Sequence, residues 1–209
     1  MPKEYKVLGY KATFEEYLVW LYLEELQEAG YIKEIIFQPE SFELFKGLPK
    51  KFYKDKQLKT KVKRTYSKRQ YLINPVKYTS DYEVYWDVTA YDIFTQLITC
   101  TELDLNIPFL ALGGESYLEV KASTFDPQGT TRLFTSRTQP WLSEQLYYVQ
   151  LIKPLTLFKD TFIPKKALEY LVYKKDVYTG KGRNRKLKAK IGDKKHKFEY
   201  KTLKEYLEC

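Results

Sequence analysis

Apolar positions along this chain change period several times, and each change marks an element. Residues 13–29 are apolar on two sides of a helical projection. Phe14, Leu18 and Leu21 fall on one side, and Val19, Leu23 and Leu26 fall on the other. A helix apolar on two sides belongs between layers rather than on a surface. Thr13 and Glu16 have the T-x-x-E spacing of a capping box, and Gly30 is placed to end the helix. By the same spacing Glu16 points towards one apolar side and Glu25 towards the other. YIKEIIFQP (31–39) then reads as a strand stopped by Pro39, and SFELFKG (41–47) as a second, short one.

Residues 50–69 have weak periodicity and are expected as an extended loop or an exposed hairpin. From Tyr71 to Asp87 the pattern alternates: Tyr78, Ser80, Tyr82, Val84 and Trp86 on one face, Thr79, Asp81, Glu83 and Tyr85 on the other. The apolar segment 88–112 fits a helix or a hairpin. Gly113 and Gly114 mark a turn before ESYLEVKAS (115–123), a strand with Glu119 and Lys121 on one face. FDPQG (125–129) reads as a turn. Residues 130–145 are expected to be partly helical with a break at Pro140. LYYVQLIKP (146–154) and LTLFKDTFIP (155–164) read as two more strands. Residues 165–174 form a short helix or extension, and 202–208 a weakly amphipathic terminal helix. The order is a mixed α/β layout around one sheet, with a domain over 1–174 and a basic extension over 175–209.

Charge sharpens this picture. The net charge is +9, and it is concentrated. Half the positions of 50–69 are Lys or Arg, with Asp55 as the single acid, and 181–201 repeats the pattern. Aromatic residues are interleaved in both segments. Lys50, Lys51, Lys61, Lys63, Arg64, Lys68 and Arg69, with Arg183, Arg185 and Lys186, are therefore candidate contacts to a nucleic-acid backbone. Solvated, solubility-promoting loops are the competing explanation. Arg132 and Arg137 are weaker candidates of the same kind, weighed against ordinary surface arginines.

Composition excludes more than it assigns. There is one histidine, His196, and the two cysteines, Cys100 and Cys209, have no framework spacing. Ser-His-Asp triads, Cys-His dyads and Cys/His zinc sites are thereby ruled out. No phosphate-loop or dinucleotide-binding glycine pattern occurs, so no small-molecule organic cofactor is expected. The longest apolar run, YLVWLYL (17–23), is too short to cross a bilayer, and MPKEYKV lacks a signal-peptide core. The expected location is the cytoplasm, without membrane association.

What remains is chemistry on carboxylates and lysine. If the strands of Asp81 and Glu119 are neighbours, the two carboxylates converge, and burying both as unpaired anions is unfavourable. A divalent ion resolves this. With only hard oxygen donors, Mg2+ is favoured and Mn2+ is a substitute. Lys121 would then orient or deprotonate an attacking water, or stabilise charge on a phosphate. A cross-strand ion pair between Glu119 and Lys121 is the plainer alternative.

The run Y-T-S-D (78–81) followed by Y-L-E-V-K (117–121) resembles the PD-(D/E)xK nuclease superfamily. With T-x-x-E, E-A-G-Y-I (28–32) and F-Q-P (37–39), the chain looks closer to phage-encoded endonucleases related to Holliday-junction resolvases and transposon end-cleaving nucleases. The resemblance spans about residues 10–165. It implies a restriction-endonuclease-like αβββαβ core with a mixed central β-sheet, usually with magnesium. It implies Asp81, Glu119 and Glu16 as metal ligands, Lys121 as catalytic lysine, and Gln38 as a polar residue near the site. Ser80 stands where the motif has proline, and 88–112 is an insertion. The resulting expectation is a magnesium-dependent endodeoxyribonuclease, in the host cytoplasm if phage-encoded. The alternative is a non-catalytic nucleic-acid-binding or virion-associated protein that keeps the nuclease fold. Junction resolution would require a symmetric homodimer, for which 88–112 is one candidate interface.

Overall fold

The computed structural model describes residues 4–57, 63–98, 103–122, 134–144, 146–171, 173–179, 186–194 and 201–208. Lys61, Arg132, Arg183, Arg185, His196, both cysteines and the expected turn at 125–129 lie outside them. For Lys51, Lys63, Arg64, Lys68, Arg69, Arg137 and Lys186 the description extends to the backbone.

Thr13 caps helix α1 (Phe14–Glu28) as its spacing predicts. Its hydroxyl accepts from the Glu16 N–H at 3.2 Å, and Glu16 Oε2 accepts from the Thr13 N–H at 2.8 Å. Gly30 takes a left-handed conformation, φ +86°, at the other end. There Tyr31 N–H bonds Leu26 C=O and Gly30 N–H bonds Gln27 C=O, a Schellman closure. A two-stranded hairpin, β1 (Tyr5–Val7) with β2 (Tyr10–Ala12), precedes the helix.

Strand β3 (Ile32–Phe37) follows at once. Next comes a long ribbon in which β4 (Phe42–Phe45) pairs with β7 (Val76–Tyr78), and β5 (Leu48–Gln57) pairs with β6 (Lys63–Ile73). Strand β8 (Tyr82–Trp86) returns to the core. Four strands follow before the basic extension: β9 (Thr95–Leu97), β10 (Phe109–Ala111), β11 (Glu115–Val120) and β12 (Val149–Ile152). The central sheet has the order β12-β11-β8-β3, antiparallel except for the β11–β12 pair. A parallel neighbour needs a crossover, and helix α2 (Gln139–Glu144) lies on it. The sequence of core elements is thus α1, β3, β8, β11, α2, β12.

Two apolar clusters cover the two faces of the sheet. On one, Leu18, Tyr22, Leu23 and Leu26 of α1 pack with Tyr82, Val84, Trp86, Leu118 and Val120. Each fully buried large side chain of this kind contributes about 1.5–3 kcal/mol. Trp86 is accommodated because its Nε1–H donates to Ser116 Oγ at 2.7 Å, which in turn donates to Leu110 C=O. On the other face lie Leu44, Phe134, Leu142 and Val149, with Phe42, Tyr78, Tyr117, Tyr147 and Leu151 against them.

Several expectations change. Residues 155–164 are not a strand. Pro154–Asp160 is helix α3, with Pro154 in its first turn, where a missing N–H costs nothing, and Leu157 and Phe158 turned inward. Residues 71–87 are three pieces rather than one strand: the end of β6, then β7, then β8. Among its described residues, segment 88–112 is neither helix nor hairpin. It holds a 3₁₀ turn at Val88–Ala90 and the parallel pair β9–β10, and it contributes Phe94, Phe109 and Ala111 to the core. The described part of 130–145 is helical as expected: a π-helical turn, Phe134–Thr138, runs into α2, and Pro140 lies in the first turn of α2, next to that change of helix type.

The basic extension contains a hairpin of β13 (Tyr173–Thr179) and β14 (Lys186–Lys194). Its last helix, α4 (Leu203–Leu207), packs Leu203 and Tyr206 on the main core, with the Tyr206 ring 5.7 Å from that of Phe94. Among the described residues no helix is long and apolar enough to cross a membrane.

Candidate active site

The alternation of β11 separates two kinds of residue. Ser116, Leu118 and Val120 are buried on the α1 face, while Glu115, Tyr117 and Glu119 are half-buried on the other. Lys121 continues that second phase, and its N–H bonds Ile152 C=O at 2.8 Å. The antiparallel register between β8 and β11 pairs Leu118 with Tyr82. Asp81 extends it by one step, donating its N–H to Leu118 C=O at 3.0 Å. Asp81 therefore sits at the entrance of β8, not in the middle of a strand, and in register next to Glu119. From the other side Gln38 donates its N–H to Asp81 C=O at 2.9 Å.

Gln38 holds φ +52°, a left-handed value uncommon for a residue with a side chain. Its side chain is exposed; its contact with the site is through the backbone. Ser80 is fully buried, and its hydroxyl has no hydrogen-bond partner among the described residues.

The side chains form a connected set. Lys121 Nζ is ion-paired with Glu119 Oε1, with side chains 19% and 13% exposed. Tyr78 donates its hydroxyl to the other carboxylate oxygen, Glu119 Oε2, at 2.5 Å. Asp81 Oδ2 accepts from the Val120 N–H at 2.6 Å. Burial pushes the Asp81 carboxyl up to about 7, and the Glu119 and Glu16 carboxylates add to the rise. The Val120 N–H and the Lys121 ammonium oppose it. Burial likewise raises the Tyr78 phenol far above its ordinary range, so it stays a donor.

Glu16 is only partly gathered in. It bears electrostatically on Asp81, and its backbone C=O accepts from the Tyr82 hydroxyl at 2.7 Å. Its carboxylate, however, serves the Thr13 cap. Glu25 lies apart, accepting from the Lys165 N–H at 2.8 Å. Tyr78 was not among the residues predicted. Strand alternation through 78–86 sets it on the face opposite Asp81, but the chain leaves the strand at Thr79–Ser80 and the phase resets. The polar pair between two apolar alternations was the available signal.

The basic segment is connected to this site through β7. Tyr78 lies on β7, and the chain leading to it descends the β5–β6 ribbon. In that ribbon Lys51 pairs with Arg69, Phe52 with Lys68, Lys54 with Tyr66 and Lys56 with Arg64. Alternate pairs of a ribbon share a face. Gly47 makes the joint between β4 and β5. It holds φ +79°, and a Cβ there would lie 2.7 Å from Pro75 N. Lys50 is exposed near the ribbon root.

Whether these residues suit a divalent ion can be judged from their chemistry. Asp81 and Glu119 offer hard oxygen donors, and Asp81 is driven towards neutrality by burial first and by the Glu119 and Glu16 carboxylates second, a cost that a bound cation would offset. Two carboxylates thus fit. The third does not as it stands. Among the described residues no group of three or more His, Cys, Asp or Glu side chains is assembled to hold a metal. No protein-family model, curated protein or solved structure matches this chain.

Proposed function

We propose that the protein is a divalent-metal-dependent endodeoxyribonuclease, with Asp81, Glu119 and Lys121 as its central residues. The observation that carries this reading is the pairing of Asp81 with Glu119 across adjacent strands, with Lys121 one alternation further on. The core order α-β-β-β-α-β on a mixed sheet accords with a restriction-endonuclease-like fold. The basic ribbon joined to the site accords with a DNA partner.

Asp81 and Glu119 would hold Mg2+ or Mn2+, and Glu16 would join them on releasing its cap. Such an ion supplies a Lewis acid for the phosphoryl oxygen. The remaining work belongs to the chain. With Asp81 and Glu119 holding the ion, the Lys121 ammonium would be free of its ion pair and would face the negative charge that accumulates on a scissile phosphate. Tyr78 keeps one Glu119 oxygen fixed by its hydroxyl. Val120 N–H does the same for Asp81. Backbone bonds on both sides of Asp81 keep its position rigid.

Incubating supercoiled, linear and four-way-junction DNA with the protein, with and without magnesium, tests the reading. Cleavage of at least one substrate in magnesium and none in chelator is expected. Binding without cleavage in either condition favours the alternative of a DNA-binding protein that retains the fold.

A further inference from the structure

On the sheet face that carries Glu119, an open cleft of about 620 Å³ lies beside the candidate site. Its walls include Phe42, Tyr117 and Tyr147, and Glu40, Lys46 and Glu83 line it as well. The aromatic rings are mutually packed. Phe42 lies 4.5 Å from Tyr147 and 5.1 Å from Tyr117 between centroids, and Tyr117 lies 5.9 Å from Tyr147. This makes a rigid aromatic wall rather than a collection of loose side chains.

The cleft is tied to the chemistry on two sides. Tyr117 precedes Glu119 by two residues on the same strand face, about 7 Å away. Phe42 stacks on Tyr78 at 6.4 Å, and Tyr78 donates to Glu119. A group lodged in the cleft therefore sits next to whatever Glu119 and Lys121 act on.

The polar chemistry of the cleft selects what can enter. Glu83 Oε1 accepts from the Tyr85 hydroxyl at 2.6 Å and shares the Tyr117 hydroxyl, 3.2 Å away, with Glu115 Oε2, which lies nearer to it at 3.0 Å. A carboxylate has about four acceptor positions, so Glu83 retains capacity for a further donor. A phosphate is repelled by Glu40, Glu43 and Glu83, which all line the cleft. A planar ring carrying N–H donors is favoured, because it stacks on the aromatic wall and donates to the carboxylate. The Lys46 ammonium lies among the same lining residues, where a backbone phosphate of the same strand would be received.

We propose that this cleft is a nucleobase pocket. It takes the base of an unpaired DNA nucleotide beside the scissile phosphate, with preference for the amino-bearing bases cytosine and adenine over thymine. A base stacked inside a duplex presents neither its face nor its pairing edge, so an unpaired or extruded nucleotide is required. The proposal rests on the DNA-cleavage reading and narrows its substrate to DNA with an unpaired nucleotide at the cut: a bulge, a fork or a flap.

The test uses the full chain without added metal and a duplex carrying 2-aminopurine at a single-nucleotide bulge, beside the same duplex fully paired. Quenching of the probe on binding, for the bulged duplex alone, is expected. Tyr147→Ala should abolish the quenching and lower affinity for the bulged duplex by roughly 5- to 150-fold, the range of one base–aromatic stack. Tyr147→Phe should keep both, which guards against a folding defect in the alanine variant. In magnesium, a bulged cytosine should be cut faster than a bulged thymine. Equal affinity of wild type for bulged and paired duplexes, with no quenching, overturns the pocket. If both duplexes are cut equally in magnesium in that case, the nuclease reading survives the pocket's failure. Tyr147-dependent quenching without any cleavage upholds the pocket and overturns the nuclease reading.

Discussion

Removing the charge of Asp81 should stabilise the metal-free protein, and should do so only at neutral to alkaline pH. Burial and the neighbouring Glu119 raise this carboxyl from its ordinary 3.8 to about 7. Between those values the folded state holds a proton that the unfolded state has released. Stability therefore declines as pH rises from about 4 to about 7, and the loss is complete above that. At about 1.4 kcal/mol per pH unit the separation corresponds to about 4 kcal/mol, and relaxation of Lys121 towards the charged carboxylate brings this to about 2–4 kcal/mol. Asparagine preserves the acceptor for the Val120 N–H and cannot ionise. In urea denaturation followed by tryptophan fluorescence, Asp81→Asn and wild type should be about equally stable at pH 4. At pH 8 the variant should be more stable by about 2–4 kcal/mol. Magnesium should narrow that difference by stabilising wild type alone. A variant that is destabilised equally at both pH values would refute the electrostatic picture of the site.

Tyr78→Phe removes the hydroxyl from Glu119 Oε2 while leaving the ring packed on Phe42 and Phe134. A hydrogen bond to a charged group contributes about 1.5–3 kcal/mol, so the variant should lose up to about that much stability in urea denaturation, and cleavage should fall roughly 10-fold or more in a single-turnover assay. Gly47→Ala places a Cβ 2.7 Å from Pro75 N at a φ of +79°. It should destabilise the joint of the ribbon by about 1–3 kcal/mol, seen as faster limited proteolysis there. Replacing Lys54 and Lys56 by alanine should weaken DNA binding without regard to sequence. The slope of log affinity against log salt should drop by roughly 0.9 for each, measured by fluorescence anisotropy.

Much of the architecture was legible because short-range chemistry and burial agreed. The capping box of α1, the Gly30 closure, β3, β4 and β11 occur where periodicity placed them. The juxtaposition of Asp81 and Glu119 followed from two alternating strands that proved to be neighbours. Where local pattern and chain path parted, the reading failed. Leu155, Leu157, Phe158 and Phe162 satisfy strand and helix periods alike, and Pro154 at a helix start decides the matter. Tyr78 reaches Glu119 because the strand ends at Thr79–Ser80, a break invisible to a two-residue period. Segment 88–112 is apolar because it supplies core side chains from irregular backbone and two short parallel strands, a pairing that no local signal encodes. The C-terminal extension returns to the core through Leu203 and Tyr206, a long-range contact of the same kind. The capping role of Glu16 was readable, and in the structure it occupies the carboxylate that the metal reading needs.

The decisive measurement is single-turnover cleavage of DNA in magnesium by wild type and by Lys121→Ala, with DNA affinity and thermal stability measured on both. Lys121 holds its ion pair with Glu119 at the centre of the site and is not one of the ribbon's lysines. Loss of cleavage by at least about 100-fold, the scale of one charge-stabilising group, is predicted, with affinity within about 3-fold of wild type. Cleavage by Lys121→Ala at the wild-type rate, or no magnesium-dependent cleavage by wild type on any of the DNA substrates, would show that these residues do not form a nuclease site.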